Sequence, residues 1–228
     1  EQISTTELDD EDLFTNLRRN SGYSPPRTPR DFFLNTGDVV LGADTGSNIE
    51  CYSVSPGGEL SFIREGIQQT LVVEENGSII FMESDYYGNS LMRLNTDETV
   101  DFIATMPPWG GDFDIDAYGN IVYISQNELF LVSLDGDVEQ VAYGFEGADA
   151  VAVHPFTGDY YVGDTNASSI IRVTPAGVIQ NLYQDYELLP NIEGLAFTPT
   201  GTLIIADENA KAIYSFDGTS LTIIAQGG

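Results

Sequence analysis

A glycine followed at once by a short apolar strand occurs five times along this chain. The five copies read GDVVLGAD, GSIIFMES, GNIVYISQ, GDYYVGD and GTLIIAD. Their leading glycines, Gly37, Gly77, Gly119, Gly158 and Gly201, are 40, 42, 39 and 43 residues apart. Repeats of this length are typical of β-propeller blades, because each blade is one supersecondary unit of four strands.

Three further apolar strands accompany the glycine strand in each repeat. The strand before the glycine reads RDFFL, TLVVE, DFDID, AVAVH or GLAFT, and strands such as SIIRVT and VIQNLYQ complete each set of four. No convincing helical period lies between them. The sequence therefore predicts an all-β fold, a β-propeller of five four-stranded repeats and twenty strands. A single blade cannot bury both faces of its sheet, so we expect consecutive repeats to stack.

Residues 1–28 lack the repeat, and we predict that they form an N-terminal arm or linker before a propeller domain at residues 29–228. The segment DLFTNL in the arm is compatible with a short helix, or with a strand added to a sheet edge that would permit self-association. Three routes to ring closure stay open. The arm completes a blade, the faces of the terminal blades pack together, or the chain is a six-bladed relative with one incomplete blade.

Acidic residues outnumber basic ones by 36 to 8, which gives a formal net charge of −28 at pH 7. Nucleic acid is not an expected partner, because binding phosphates requires clustered Lys and Arg, and Lys211 is the only lysine. Anionic membrane surfaces are disfavoured for the same reason. No apolar run approaches the roughly 20 residues of a membrane-spanning helix. The acid excess indicates either a solvated surface or divalent-cation binding.

Three features of the sequence bear on where in or outside the cell the protein is located. Cys51 is the only cysteine, so no intrachain disulfide and no CxxC motif can form. The chain begins with Glu1 rather than Met, which indicates that an upstream segment was removed by processing or by truncation. Together with the single lysine, this favours a secreted, periplasmic or cell-surface location.

Two long stretches, GADAVAVHPFTGDYYVGDTNASSIIRV and NIEGLAFTPTGTLIIADENAKAIYSF, share one pattern of apolar strand, small residue, Asp, polar loop and Ile. This pattern resembles the NHL-repeat and SMP-30/gluconolactonase-like group of β-propellers over residues 29–228. The resemblance implies a propeller fold and leaves the activity open, since such propellers include enzymes, ligand-binding modules and interaction scaffolds. The repeated Asp44, Asp164 and Asp207 are interpreted as structural, each bonding the amides of an Asx-type turn.

We expect candidate site residues just before the first strand of each repeat, where they would surround one mouth of the central channel. Alignment on the glycines places Asp149 and Glu193 at equivalent positions, with Asp112 one step later and Asn191 nearby. Carboxylate and amide oxygens are the ligands that Ca²⁺ prefers. Asp112, Asp114 and Asp116 also share one face of a predicted strand, where a cation or water would relieve their repulsion.

These arguments give Asp112, Asp114, Asp149 and Glu193 as metal candidates, and Trp109 and Asn191 as ligand candidates. Trp109 could stack on a sugar or a peptide. The alternative interpretation is that the acids are solvated and that Trp109 packs between blades. His154, the only histidine, precedes Pro155 in a turn, and we expect a structural role for it.

The sequence favours a binding or interaction module outside the cytoplasm, with a protein or small-molecule ligand at the channel mouth and Ca²⁺ as a candidate ion. One alternative is a metal-dependent lactonase. The resemblance would then imply a channel metal held by Glu193, Asn191, Asp149 and Asp112. PNIEGLAF departs from the Pro-Asn-Gly-Leu-Ala-Phe run of that family, and its N-terminal Glu-Gly-Pro motif is lacking, so the balance is against an enzyme. A second alternative is a self-assembling subunit joined through residues 1–28.

Overall fold

The computed structural model describes residues 39–44, 49–65, 70–74, 76–85, 88–107 and 111–227. The chain divides into two units, Glu1–Asp31 and Phe32–Gly228, and all described residues belong to the second. The predicted arm at residues 1–28 and the predicted strand RDFFL therefore lie outside the described residues. In the described part there is no helix, so none is long and apolar enough to cross a membrane.

Seventeen β-strands form four antiparallel sheets in the described residues, which confirms the all-β prediction. The first sheet has three strands: β1 (Val39–Asp44), β2 (Ile49–Val54) and β3 (Leu60–Glu65). The second has four: β4 (Leu71–Val73), β5 (Ile79–Asp85), β6 (Gly88–Leu94) and β7 (Val100–Met106). The third has six: β8 (Phe113–Ile115), β9 (Ile121–Val132), β10 (Val138–Val153), β11 (Tyr160–Asp164), β12 (Ser169–Val173) and β13 (Ile179–Gln184). The fourth has four: β14 (Ile192–Phe197), β15 (Leu203–Asp207), β16 (Ala212–Phe216) and β17 (Leu221–Gln226).

The five sequence repeats map onto these sheets in order. Repeat 1 is β1–β3, repeat 2 is β4–β7 and repeat 5 is β14–β17. Repeats 3 and 4 share the six-stranded sheet, where β9 contains two predicted strands and β10 joins the last strand of repeat 3 to the first of repeat 4. The seventeen continuous strands thus contain nineteen of the twenty predicted ones, and RDFFL is the twentieth.

Repeats 3 and 4 share one sheet because β9 and β10 are continuous strands. Within β9, Gln126 has a positive φ of 49°. In β10 the pairing register jumps between Tyr143 and Ala148, around the positive-φ Gly144. Such irregularities let a strand bend without ending its ladder.

The leading glycines of repeats 2 to 5 make the tight hairpin turns that the sequence predicted. Gly77, Gly119, Gly158 and Gly201 have φ between 70° and 87°, in the left-handed region that glycine enters without a Cβ clash. Each donates its N–H to a carbonyl three or four residues earlier, as Gly201 does to Thr198. Glycine at this position therefore fixes the register of the first two strands of a repeat.

The core lies between consecutive repeats and consists of four hydrophobic clusters. The clusters join repeats 1 and 2, 2 and 3, 3 and 4, and 4 and 5. Among the described residues no cluster joins repeat 5 to repeat 1. The repeats thus stack face to face in chain order, as predicted. Cys51 lies in the first cluster, fully buried, and burial raises the pKa of its thiol to about 12.

Candidate functional site

Two of the predicted metal candidates, Asp112 and Asp114, connect repeat 3 to repeat 4 by hydrogen bonds. One oxygen of Asp112 accepts the Val151 N–H at 3.3 Å, and one oxygen of Asp114 accepts the Val153 N–H at 2.8 Å. The second oxygen of each accepts the N–H of its own following residue, at 2.9 and 2.7 Å. The pairing of β10 with β9 ends at Ala148, so the amides of Val151 and Val153 face no neighbouring strand on that side. The two carboxylates provide the acceptors that a strand would otherwise supply.

Burial affects the ionisation of both acids. It raises the pKa of Asp112 to about 7, opposed by the two amide hydrogen bonds and assisted by the nearby charge of Asp114. Burial also raises the pKa of Asp114, again opposed by its amide bonds. An ionised carboxylate out of water costs free energy even when hydrogen bonded, so we expect the contact between repeats 3 and 4 to weaken as these acids ionise.

Asp149 and Glu193 occupy the same position in repeats 4 and 5, as the alignment predicted. Each lies where the first strand shifts its register, between Ala148 and Ala150 in β10 and between Ile192 and Gly194 in β14. The extra residue at such a β-bulge does not pair with the neighbouring strand. Its side chain therefore departs from the in–out alternation of the strand. Both side chains are exposed.

Asp149 lies in a cleft of about 450 Å³ between the bend of β9 and the loop after β11. We name this the acidic cleft. Its lining residues are Gln126, Asn127, Phe145, Glu146, Gly147, Asp149 and Asn166.

The acidic cleft is held in shape by hydrogen bonds beneath it. The buried Asp164 accepts the N–H groups of Glu146 at 2.7 Å and Gly147 at 3.0 Å. The Asn166 side-chain amide donates to the Glu146 carbonyl at 3.1 Å. The backbone that carries Glu146 and leads to Asp149 is thus fixed from two sides, which gives a preorganised site.

The charged side chains that line the acidic cleft are all negative. Glu146 and Asp149 are carboxylates on its wall, and none of its lining residues is cationic. Partial burial raises the pKa of Asp149, the nearby Asp164 adds to the rise, and the Thr165 hydroxyl opposes it. Amide side chains supply both donors and acceptors around these acids. The cleft can therefore hold a cation or a ligand with an ammonium, guanidinium or hydroxyl group.

Asn191 and Glu193 belong to a different group of side chains, in repeat 5. The Asn191 side-chain amide donates to Glu193 at 2.7 Å and to Glu208 at 3.0 Å. Its backbone N–H donates to the buried Asp207 at 2.8 Å. The two carboxylates are thus bridged by one amide, which satisfies part of their hydrogen-bonding capacity within the fold.

The predicted candidates therefore differ in their hydrogen-bonding partners: Asp112 and Asp114 bond to β10, Asp149 lines the acidic cleft, and Asn191 and Glu193 belong to the amide-bridged group of repeat 5. Within the described ranges, no three His, Cys, Asp or Glu side chains come together as a metal site. Trp109 lies outside the described residues.

Two structural interpretations from the sequence are confirmed. Asp164 and Asp207 each accept at least two loop or strand amides, and the side chain of Asp44 lies outside the described residues. His154 accepts the N–H groups of the two residues after Pro155 at its Nδ1, and its ring packs edge-on against Phe197 at 4.8 Å.

Sequence reasoning missed most of the acidic cleft. Glu146 and Asn166 lie outside the aligned strand positions, and Gln126 and Asn127 carry no sequence signal for a site. The segment GFEGAD, in which Gly147 lies between Glu146 and Asp149, is the signal that could have found Glu146.

Comparisons with known proteins agree with this architecture. No protein-family model and no curated protein sequence matches the chain. Several solved structures do match the chain. Virginiamycin B lyase from Staphylococcus aureus is 13% identical with a TM-score of 0.59, over 83% of this chain and 70% of the lyase chain.

Two further solved structures are similar to this chain. The nidogen/laminin complex gives 17% identity and a TM-score of 0.66, over 84% of this chain and 79% of that one. A gluconolactonase-like protein gives 14% identity and a TM-score of 0.61, over 85% of this chain and 82% of that one. At these identities the likeness shows the fold alone: the chain is a β-propeller, as the repeat predicted. The number of blades in its ring stays a prediction.

Proposed function

We propose that this β-propeller is a binding or interaction module and that its acidic cleft receives a positively charged group of a partner protein or small molecule. The observation that carries the proposal is the pairing of Glu146 and Asp149 in one preorganised cleft whose lining has no cationic residue. An entering cation would meet two carboxylates and no competing cation on the cleft wall, which favours charge-assisted hydrogen bonds to the ligand.

The net charge of −28 supports the same proposal. A strongly acidic surface attracts cationic ligands and increases their rate of encounter, and the cleft would give that attraction a specific location. The raised pKa of Asp149 also predicts the direction in which affinity changes with pH. A bound cation stabilises the ionised form of Asp149, so affinity should increase as pH rises through the pKa of this group.

Calcium is the second candidate ligand, because the acidic cleft combines two carboxylates with the side-chain amide oxygens of Gln126, Asn127 and Asn166. Hard oxygen atoms of these types, completed by water, are what Ca²⁺ requires. Location outside the cytoplasm also remains a proposal, supported by the acid excess and the single lysine. Self-association through residues 1–28 is likewise a proposal, which deletion of the arm and light scattering would test.

The test is isothermal titration calorimetry with two probes, Ca²⁺ and a short peptide with one arginine. The Glu146→Gln/Asp149→Asn double variant should lose at least about tenfold in affinity for the probe that fits the cleft. The matched control is Glu193→Gln/Glu208→Gln, which removes the same charge from the repeat 5 group. Equal losses in both variants would mean that binding follows net charge, and the proposal would be wrong.

A further inference from the structure

Repeats 4 and 5 have the same backbone arrangement around Asp149 and Glu193. In each repeat, one first-strand residue pairs with the buried aspartate that ends the second strand. The residue before this pair accepts the backbone N–H of the residue after the aspartate, at 3.0 Å in both repeats. That acceptor is Gly147 in repeat 4 and Asn191 in repeat 5. The two sites can therefore be compared position by position.

Repeat 5 holds a nitrogen donor of its own between two carboxylates. The Nδ2 atom of Asn191 donates to Glu193 at 2.7 Å and to Glu208 at 3.0 Å. The planar nitrogen of a side-chain amide carries two N–H donors, and here each of the two carboxylates accepts from it. Repeat 5 therefore shows which kind of group this position takes when it is filled, and that group is a planar NH₂ group.

Repeat 4 has no side chain at the position of Asn191. Gly147 occupies it, and a β-carbon added there would overlap the Nδ2 atom of Asn166. That Nδ2 atom donates to the Glu146 carbonyl at 3.1 Å. Position 147 therefore cannot carry a donor of its own unless Asn166 moves.

The donor that corresponds to the Asn191 amide would have to reach Asp149 through the acidic cleft. Gly147 and Asp149 both line this cleft. The Thr165 hydroxyl interacts with Asp149, but it donates its single hydrogen to the Ile192 carbonyl at 2.7 Å. The Asp149 carboxylate thus keeps acceptor capacity for a group that enters from outside the protein.

We propose that the acidic cleft binds a guanidinium group, whose NH₂ groups bond the carboxylates of repeat 4 as the Asn191 amide bonds those of repeat 5. This inference rests on the proposed function and names the chemical class of its ligand. Among cationic groups, guanidinium combines planar NH₂ groups with a positive charge. The charge matters because hydrogen bonds between a cation and a carboxylate are stronger than those of a neutral amide.

The second carboxylate comes from a different position in each repeat. In repeat 5 it is Glu208, at the position of Thr165, whereas in repeat 4 it is Glu146, at the position of Pro190. A ligand that bonds both Glu146 and Asp149 therefore needs donors that point in more than one direction. A guanidinium group has several N–H donors in one plane, and a cleft of about 450 Å³ has room for it.

The first test removes the internal donor from repeat 5 and follows amide chemical shifts during titration with methylguanidinium. In the wild type, the probe should shift the amides of Gly147 and Asp149 and leave those of repeat 5 unchanged. Asn191→Gly reproduces the residue of repeat 4, so the amides of Glu193 and Glu208 should then shift as well, with an affinity within about tenfold of the first site.

Two further variants make this test specific. Asn191→Ala removes the same donor without adding backbone freedom, and it should open the same second site. Asn209→Ala is the matched control, because it removes an exposed side-chain amide from the same turn and should leave repeat 5 without a site.

The second test supplies a donor in repeat 4. In Gly147→Asn/Asn166→Ala, the new amide should bond Asp149 and reduce the affinity for methylguanidinium at least about tenfold compared with Asn166→Ala alone. The net charge is the same in both variants, so such a loss cannot follow from charge.

The choice of probe tests the chemical class directly. Tetramethylammonium has the same charge as methylguanidinium and no N–H donor, so it should bind at least about tenfold more weakly. Tighter binding of acetyl-Gly-Arg-Gly-amide than of methylguanidinium would assign the group to an arginine of a protein partner. The reverse order would assign it to a small molecule.

The outcomes separate this inference from the proposed function. If no cationic probe shifts the cleft amides of the wild type, the proposed function itself is wrong. If a probe binds in the cleft but neither variant of Asn191 opens a second site, the guanidinium assignment alone is overturned. It is also overturned if tetramethylammonium, n-butylammonium or Ca²⁺ binds in the cleft as tightly as methylguanidinium.

Discussion

Asp112 provides the sharpest test of the link between repeats 3 and 4. Its ordinary pKa is 3.8, and burial raises the value in the folded protein to about 7. The folded state therefore keeps this proton over a pH range in which the unfolded chain has lost it. Stability must then fall as pH rises, because the folded state binds more protons than the unfolded state.

The magnitude follows from these two values. Between pH 5 and pH 8 the ionisation of Asp112 should lower the free energy of unfolding by about 2–3 kcal/mol. The Asp112→Asn variant lacks this titration. Whatever its stability at pH 5, it should gain about 2–3 kcal/mol relative to the wild type by pH 8. At any single pH the variant also loses one of two amide acceptors, so only the change with pH is diagnostic.

The assay is urea unfolding followed by circular dichroism at several pH values from 5 to 8. Asp135→Asn is the matched control, since it removes one acid from an exposed turn and should leave the pH dependence of the wild type unchanged. If the free energy of unfolding changes with pH equally in Asp112→Asn and in the wild type, the reasoning is refuted. They would mean that the amide hydrogen bonds from Val151 and Phe113 outweigh burial and keep the carboxylate ionised.

Substitutions at three further places test the packing and the hydrogen bonds of the repeats by the same unfolding assay. Gly163→Ala should cost about 1–3 kcal/mol, because its β-carbon would press on Ile192 at the interface of repeats 4 and 5, and an unchanged stability would contradict that close contact. Asp207→Ala should cost about 2–4 kcal/mol, since two backbone N–H groups lose their acceptor, whereas a loss below that range would show that water replaces it. Asp159→Asn should cost about 1–2 kcal/mol by breaking the buried end of its ion pair with Arg172, and an Arg172→Met variant of equal stability to the wild type would show that the pair contributes nothing.

The repeat made the fold predictable from the sequence. A glycine in the left-handed region at each hairpin and an apolar strand on either side are local features, and they define the strands wherever the turn is tight. The merging of repeats 3 and 4 was not predictable, because a continuous β10 depends on how Gly144 bends the chain and not on the apolar pattern.

The candidate site was predicted less well, for a physical reason. Alignment correctly placed Asp149 and Glu193 at equivalent positions, because register within a repeat is local. It could not show that the Asp112 and Asp114 carboxylates bond to the amides of another repeat, since such contacts depend on tertiary packing. All of these acids look the same in the sequence pattern. Only their burial and their hydrogen-bonding partners distinguish the acids that connect two repeats from the acids that line the cleft.

The most direct test of the central claim is amide chemical-shift mapping by NMR with methylguanidinium, n-butylammonium and Ca²⁺ as separate probes. Binding in the acidic cleft predicts that one probe shifts the amides of Glu146, Gly147, Asp149 and Asn166 first, and that Glu146→Gln/Asp149→Asn removes these shifts. Shifts spread over the acidic surface, or centred on Asn191 and Glu193 in repeat 5, would contradict the assignment of the cleft as the binding site.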